Sequence, residues 1–466
     1  MIDRNSSWNR ERNGPPSGDR PQRWRLSDRL WKLSGKLTPG SVNQLLRFRS
    51  AKAMPDTLKA RFVAMLIPEE TIDRALSEIH RLDDWVGAWS RAAQRFMAES
   101  RREEVSGEWE GSAVARRNAA MCYHAAHLVT QDDPRIVRAL RASAVQAFGQ
   151  SITRLVPGTR RVGIPWRTRR LPAYLAIPVD ITEPVPVIVL LNGATTTKEE
   201  TFIWSQTFRD RGFAVLAIDW PGTGESADGQ PLSSYCDDMS EGIFDLIDAE
   251  TDLDGSRVAL FGASLGGVVA FRTAANNRRF SAVIALTPPY DPRPWIGSIN
   301  PLVAQQLVSL AGQAPAIHVL MSDFSLPDII PRVRCPALVF GAARDLVVPP
   351  DESVKLTTAL GDLGTLVWYP DGSHCLYDRV DDWTLVASEW LAELFDLTGF
   401  AADVRSGEDS TQVDHAECGG NDADVAPAPE DAVVSVKASR EVNVLSDPVD
   451  TPEDDDQTGA NERHQP

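Results

Sequence analysis

Three residues of this 466-residue chain have the types and the order needed for nucleophilic chemistry at a carbonyl: Ser264, Asp345 and His374. A serine hydroxyl is a weak nucleophile unless a base beside it takes its proton. A carboxylate on the far side of that base fixes the imidazole tautomer and stabilises its charged form. Ser264 would attack, His374 would take and return the proton, and Asp345 would hold His374. The base is the most restricted choice, because the chain has only 7 histidines. Asp371 and Asp291 are rivals for the acid. Cys375, next to His374, offers a thiol, but it lacks the turn that surrounds Ser264. His124 and His127 fall at i and i+3 and so share a helix face. No third ligand stands out beside them, and they read as ordinary packed histidines or, for His124, as a polar group lining a pocket.

The elements around these residues are those the chemistry requires. An apolar run, Val258 to Phe261, enters Gly262-Ala263-Ser264-Leu265-Gly266. This is the Gly-x-Ser-x-Gly elbow in its strand-to-helix context. Its glycines sit where a neighbouring strand and helix leave no room for a Cβ. The elbow exposes the serine oxygen at the carboxyl edge of a sheet, with its own N–H at a helix start. Asp345 follows a strand near 336–340, and His374 follows one near 365–369. Val185 to Leu191 reads as a strand buried on both faces. The loop after it supplies one oxyanion donor, assigned to Ala194, and the residue after the nucleophile, Leu265, supplies the other. Thr195 to Glu200 also reads as a helix cap with an acidic first turn. The strand Phe213 to Asp219 runs into Trp220-Pro221-Gly222-Thr223-Gly224-Glu225-Ser226. That Gly-Thr-Gly is no dinucleotide fingerprint, since the third glycine is missing.

Composition sets the frame. Residues 55–150 carry helical periodicity, with Leu82, Trp85, Val86, Trp89, Ala93 and Phe96 on one stripe. Asp133-Pro134 starts a further helix, with proline at its first position. From 151 to 400 strands and helices alternate, as in an α/β sheet. Eight strands are expected, near 160–164, 171–177, 185–191, 213–219, 257–261, 282–287, 336–340 and 365–369. Residues 288–334 form a helical insertion with Trp295, placed to cap the site. The net charge of −17 is concentrated in the tail, where residues 401–466 hold 17 acidic and 4 basic residues. A segment so polar cannot offset its ordering entropy and is expected to be disordered. Residues 1–54 read as a basic, disordered leader. Five scattered cysteines argue against a disulfide framework and suit a cytoplasmic setting. No run of apolar residues is long enough to span a membrane.

The motifs together resemble one known group. These are Gly193-Ala194-Thr195-Thr196-Thr197-Lys198-Glu199-Glu200, then Asp219-Trp220-Pro221-Gly222-Thr223-Gly224-Glu225-Ser226, then Gly262 to Gly267, preceded by a helical domain. The group is that of the dihydroxypseudooxynicotine hydrolases, the fungal polyketide-shortening hydrolases and the fermentation–respiration-switch esterases, within the α/β-hydrolase superfamily. Many of its members have a second glycine after the position of Gly193, where this chain has Ala194. The resemblance implies an α/β-hydrolase fold of about eight mostly parallel strands, with an N-terminal helical domain over the active site. It also implies cleavage of an ester, or of a carbon–carbon bond beside a ketone, by Ser264, His374 and Asp345. The same acyl-enzyme could pass its acyl group to an acceptor other than water, and a non-catalytic binding protein on this scaffold is the remaining alternative. Trp220, Trp295 and His124 are the expected pocket residues. No metal, cofactor, nucleic acid or stable membrane insertion is expected. The expected partner is a small-molecule substrate, and a homodimer is compatible with the sequence.

Overall fold

The computed structural model describes residues 56–129, 133–311 and 317–397, together with 42–44, 46 and 47. The expected leader and acidic tail lie outside the described residues, apart from those five positions. Two short helices open the described chain, α1 (Asp56–Ala64) and α2 (Glu69–Ser77). Three long ones follow: α3 (Asp84–Ser106), α4 (Trp109–His127) and α5 (Pro134–Leu155). The starts and stops are chemical. Gly107 ends α3 in the left-handed conformation that glycine adopts without penalty. The Asp133 carboxylate caps α5 by accepting the Arg135 N–H at 2.9 Å, with Pro134 at the first helical position. The stripe read from Leu82 to Phe96 points inward, with Trp85, Trp89 and Ala93 fully buried.

Eight strands then form one sheet in the order β1-β2-β4-β3-β5-β6-β7-β8. They are β1 (Thr159–Trp166), β2 (Arg169–Ala176), β3 (Val185–Leu191), β4 (Ala214–Ile218), β5 (Leu253–Ala263), β6 (Phe280–Leu286), β7 (Ala337–Ala342) and β8 (Gly364–Tyr369). The pairings β1–β2 and β2–β4 are antiparallel, and all the others are parallel. β5 is longer than the expected 257–261. Asp254-Gly255 reads as a turn signal, yet the chain stays extended there. A register shift opposite Val185 and Val187 absorbs the irregularity.

Both sheet faces are covered, which is why β3 is buried at every position. Its residues alternate between two cores. Val187, Val189 and Leu191 pack with α8 (Met239–Ala249), α9 (Leu265–Asn276) and the 288–334 insertion. Ile188 and Leu190 pack on the other side with Phe62, Trp85, Trp89 and Phe148 from the N-terminal helices and with Trp383 of α13 (Val380–Leu394). The N-terminal helices therefore share a core with the sheet and do not close one of their own.

A buried ion cluster ties β4 to the helix after β3. Lys198 opens α6 (Lys198–Ile203) and is fully buried. Its Nζ lies 2.8 Å from Asp219 Oδ2, 2.7 Å from Glu199 and 2.6 Å from Glu225. Asp219 Oδ1 accepts the Lys198 N–H at 2.7 Å, so a carboxylate from the end of β4 caps α6, while the Thr197 side chain makes no cap bond. Burial pushes the Asp219 carboxyl up to about 6, against the pull of Lys198 and aided by Glu199. A Cβ on Gly224, which has φ +45°, would collide with that carboxylate, so the second glycine of Gly-Thr-Gly makes room for it. Removing one partner of a buried ionic group strands the others without a counter-charge. Lys198→Met should therefore lower stability by about 3–5 kcal/mol, read as a fall in the urea midpoint. An unchanged midpoint would show that the cluster holds nothing.

Candidate active site

Ser264 sits between β5 and α9 with φ +52° and ψ −121°, a backbone conformation rare for any residue with a side chain. Two close approaches account for it. A Cβ on Gly262 would meet the Gly266 backbone, and one on Gly266 would meet the carbonyl oxygens of Leu191 and Asn192. The elbow therefore packs directly on the end of β3. The Ser264 N–H is engaged. It donates to Leu286 O at 2.9 Å, which locks the elbow to β6.

The three expected side chains converge. Ser264 Oγ lies 3.1 Å from His374 Nε2, and His374 Nδ1 lies 2.7 Å from Asp345 Oδ2. Asp345 Oδ1 accepts the N–H groups of Val347 and Val348, both at 2.8 Å. The backbone thus holds one oxygen of the carboxylate and leaves the other for the imidazole. Burial opposes a charge on His374, but the Asp345 carboxylate outweighs it and raises the imidazole well above its ordinary value. The rivals for the acid are engaged elsewhere. Asp371 pairs with Arg379, and Asp291 with Arg293 and Ser325. Cys375 is buried, and its N–H donates to Thr287 Oγ1 at 3.1 Å. Thr287, at φ +45°, also places that oxygen 3.4 Å from His374 Nδ1, so it steadies the loop that carries the base. Nothing in the sequence marked Thr287 for this.

The loop after β3 is held by its own side chains. Asn192 Nδ2 donates to the carbonyl oxygens of Gly193 and Thr196 at 3.0 and 2.6 Å. Trp220 Nε1 donates to Asn192 O at 2.7 Å. Trp220 does not line the pocket, contrary to expectation. It is fully buried beneath this loop and packs on Phe324. Ala194 and Leu265 both line the cavity above Ser264. Among the described residues no hydrogen bond engages the backbone N–H of either.

His124 does not line the pocket either. Its Nε2 lies 2.8 Å from Glu200 Oε2 and its Nδ1 3.2 Å from His127 Nε2. Burial, His124, Arg141 and Arg61 hold His127 well below its ordinary value, so it is neutral. Glu200 is the centre of this group. Arg61 of α1 forks onto it, Nε to Oε1 at 2.9 Å and Nη2 to Oε2 at 2.8 Å. The same guanidinium donates to Thr195 O at 2.9 Å and to Thr195 Oγ1 at 3.3 Å, and it lies over the Tyr377 ring. Burial favours the neutral carboxyl of Glu200, but Arg61 and His124 overcome this and keep its value low. Glu200 is thus an internal anion rather than a solvated first-turn acid. Arg61 had no local signal in the sequence, because its partner is 139 residues away.

Together these walls enclose a cavity of about 220 Å³. Thr57, Leu58 and Arg61 of α1, Leu128 and Val129 after α4, and Trp295, Ile299, Val303 and Met321 of the 288–334 insertion close it. Trp295 is the one expected pocket residue that lines it. Among the described residues no cluster of His, Cys, Asp or Glu could hold a metal ion, and no helix is long and apolar enough to cross a membrane.

The sheet order, with the antiparallel second strand and Ser264 on the turn after β5, is decisive. The chain has the α/β-hydrolase fold. A model of the serine aminopeptidase S33 family matches residues 182–328. Hydrolase LUC6 of a Fusarium species is 28% identical over 340 residues, covering 61% of this chain and 80% of that protein. The 2,6-dihydropseudooxynicotine hydrolase of Paenarthrobacter nicotinovorans is 23% identical over 323 residues, covering 66% and 84%. The crystal structure of a 2,6-dihydroxy-pseudo-oxynicotine hydrolase superposes with a TM-score of 0.65 at 22% identity, covering 72% of this chain and 95% of that one. The chain is thus similar to members of the group that its motifs suggested.

Arg61 bears on the oxyanion loop through Thr195, next to Ala194. Displacing a positioned group by about 1 Å can cost about 100-fold in rate. Arg61→Met is expected to lower kcat/KM by about 10- to 100-fold, mostly through kcat, with Arg61→Lys recovering part. Steady-state kinetics on the folded variants checks this, and an unchanged kcat would remove Arg61 from the positioning of the loop.

Proposed function

We propose that this chain is a serine hydrolase that cleaves a small, largely apolar carbonyl compound through an acyl-enzyme on Ser264. One observation carries the reading. The Ser264–His374–Asp345 chain of contacts, at 3.1 and 2.7 Å, opens under two unengaged backbone N–H groups at the floor of an apolar cavity.

The steps follow from that geometry. Ser264 Oγ attacks the carbonyl carbon while its proton passes to His374 Nε2. The carbonyl oxygen becomes an oxyanion that accepts the N–H groups of Ala194 and Leu265. A single donor of this kind is worth about 10²–10³ in turnover. Asp345, accepting from His374 Nδ1–H, stabilises the imidazolium. Collapse breaks the bond to the leaving group, and His374 returns the proton to it. The leaving group is an alkoxide for an ester, or an enolate or other stabilised carbanion for a 1,3-diketone. Water, deprotonated by His374, then attacks the acyl-enzyme and frees Ser264. The relatives are named hydrolases, a word that covers carbon–carbon and ester cleavage alike, and the largely apolar cavity suits both.

Purified wild type and Ser264→Ala are to be compared on short acyl esters and aryl 1,3-diketones, read by mass spectrometry. Loss of about 10⁴-fold or more in turnover is expected for Ser264→Ala, and labelling of Ser264 by a fluorophosphonate. Turnover that survives the substitution would overturn the reading, and transfer of the acyl group to an added amine or alcohol would move it to acyl transfer. Catalysis also needs neutral His374. Because Asp345 raises that imidazole well above 6.5 against the effect of burial, kcat/KM should climb with pH along a limb lying above 6.5. Asp345→Asn should move the limb down while lowering kcat by about 10⁴-fold. A limb below 6.5 in the wild type would contradict the assignment.

A further inference from the structure

The charged side chains that line the cavity are Arg61, Arg344 and His374, and no aspartate or glutamate lines it. Two of the three are answered. Arg61 is forked onto Glu200, and His374 is joined to Asp345. Arg344 is not. Among the described residues no carboxylate lies within ion-pair distance of it, and its Nε is buried with no hydrogen-bond partner. Its backbone is fixed, since the Arg344 N–H donates to Gly372 O at 2.9 Å, which ties the loop bearing the acid to the loop bearing the base.

A guanidinium cannot shed its proton to escape this situation. A buried donor without an acceptor costs free energy until something supplies one. Arg344 lines the cavity, whose surface is largely apolar. Arginine presents parallel N–H donors that match the two oxygens of a carboxylate.

We propose that Arg344 binds a carboxylate carried by the substrate, so that the enzyme acts on acidic carbonyl compounds. This deepens the hydrolase reading and rests on it. Arg344 selects the substrate through its charge, while Ser264, His374 and Asp345 act on the bond.

The test uses Ser264→Ala, so that binding is read without turnover. The probes are benzoylacetone bearing a ring carboxylate at the para or meta position, and the methyl ester of each. Calorimetry at pH 7.5 and low salt gives the acid-to-ester affinity ratio. The better acid is expected to bind about 10- to 100-fold more tightly than its ester. In Ser264→Ala/Arg344→Met the ratio should fall to about one, and in Ser264→Ala/Arg344→Lys it should remain above one. A ratio of one or less with both isomers, a ratio that Arg344→Met leaves unmoved, or no binding of any probe would each overturn the proposal. Fluorophosphonate labelling of wild-type Ser264 runs beside it. Labelling without an acid preference defeats the carboxylate alone. No labelling and no turnover defeats the hydrolase reading itself.

Discussion

The contact on which the site depends is the bare backbone approach of the elbow to the end of β3. Gly266 lies against the carbonyl oxygens of Leu191 and Asn192 with no space for a side chain. That approach fixes where α9 begins, and so places the Leu265 N–H. It also sets Ser264 beside the first residues of the loop after β3, where Ala194 lies. The nucleophile and both candidate oxyanion donors are therefore positioned by one packing event between two adjacent parallel strands. The left-handed backbone at Ser264 costs of order 1–3 kcal/mol. It is held by the Leu286 carbonyl, which takes the serine N–H, and by helices packed on both faces of the sheet.

Two buried ionic groups extend this control outward, on neighbouring residues of one motif. Lys198 turns toward Asp219 and anchors the start of α6 to β4. Glu200, two residues on, turns toward Arg61 and His124 and anchors the same segment to α1 and α4. Charges this deep contribute little net stability when compared with apolar packing, but they are intolerant of the wrong arrangement. The oxyanion loop is thereby clamped from the sheet side by one motif residue and from the helical side by another. The α1 helix, with a sequence of no particular periodicity, joins the candidate site through the Arg61 guanidinium and through Thr57 and Leu58, which line the cavity.

The legible parts of the sequence were those whose physics is local. A serine elbow needs glycines at fixed offsets, and a buried parallel strand needs an unbroken apolar run. Ser264, Asp345 and His374 follow three such strands in order, and so could be named without a structure. The pocket residues were less legible. Trp220 looked like a pocket aromatic because it follows a strand end, but its indole N–H needed an acceptor and found one beneath the loop, at Asn192. His124 looked like a pocket group because it is polar on a small-residue helix, and it serves instead as a donor to Glu200. Arg61 and Thr287 left no trace, since each acts on residues distant in the chain. Only the fold brings a charge at position 61 to a carboxylate at position 200.

That distribution bears on how substrate choice and chemistry are separated in this molecule. The candidate catalytic residues sit on loops at the carboxyl ends of β3, β5, β7 and β8, all fixed by the sheet. The walls of the cavity come from α1, the end of α4 and the 288–334 insertion, none of which belongs to the sheet. Changes in those walls can alter the shape and polarity of the cavity while the 3.1 and 2.7 Å contacts of the reacting side chains stay in place. The sheet-borne loops also contribute to the lining, and Arg344 is the charged group among them that stands next to Asp345, with Leu346, Val347 and Val348 beside it. Its backbone is fixed to Gly372 by the same sheet-borne loops that carry Asp345 and His374, whereas the walls from α1 and the insertion can vary independently of it.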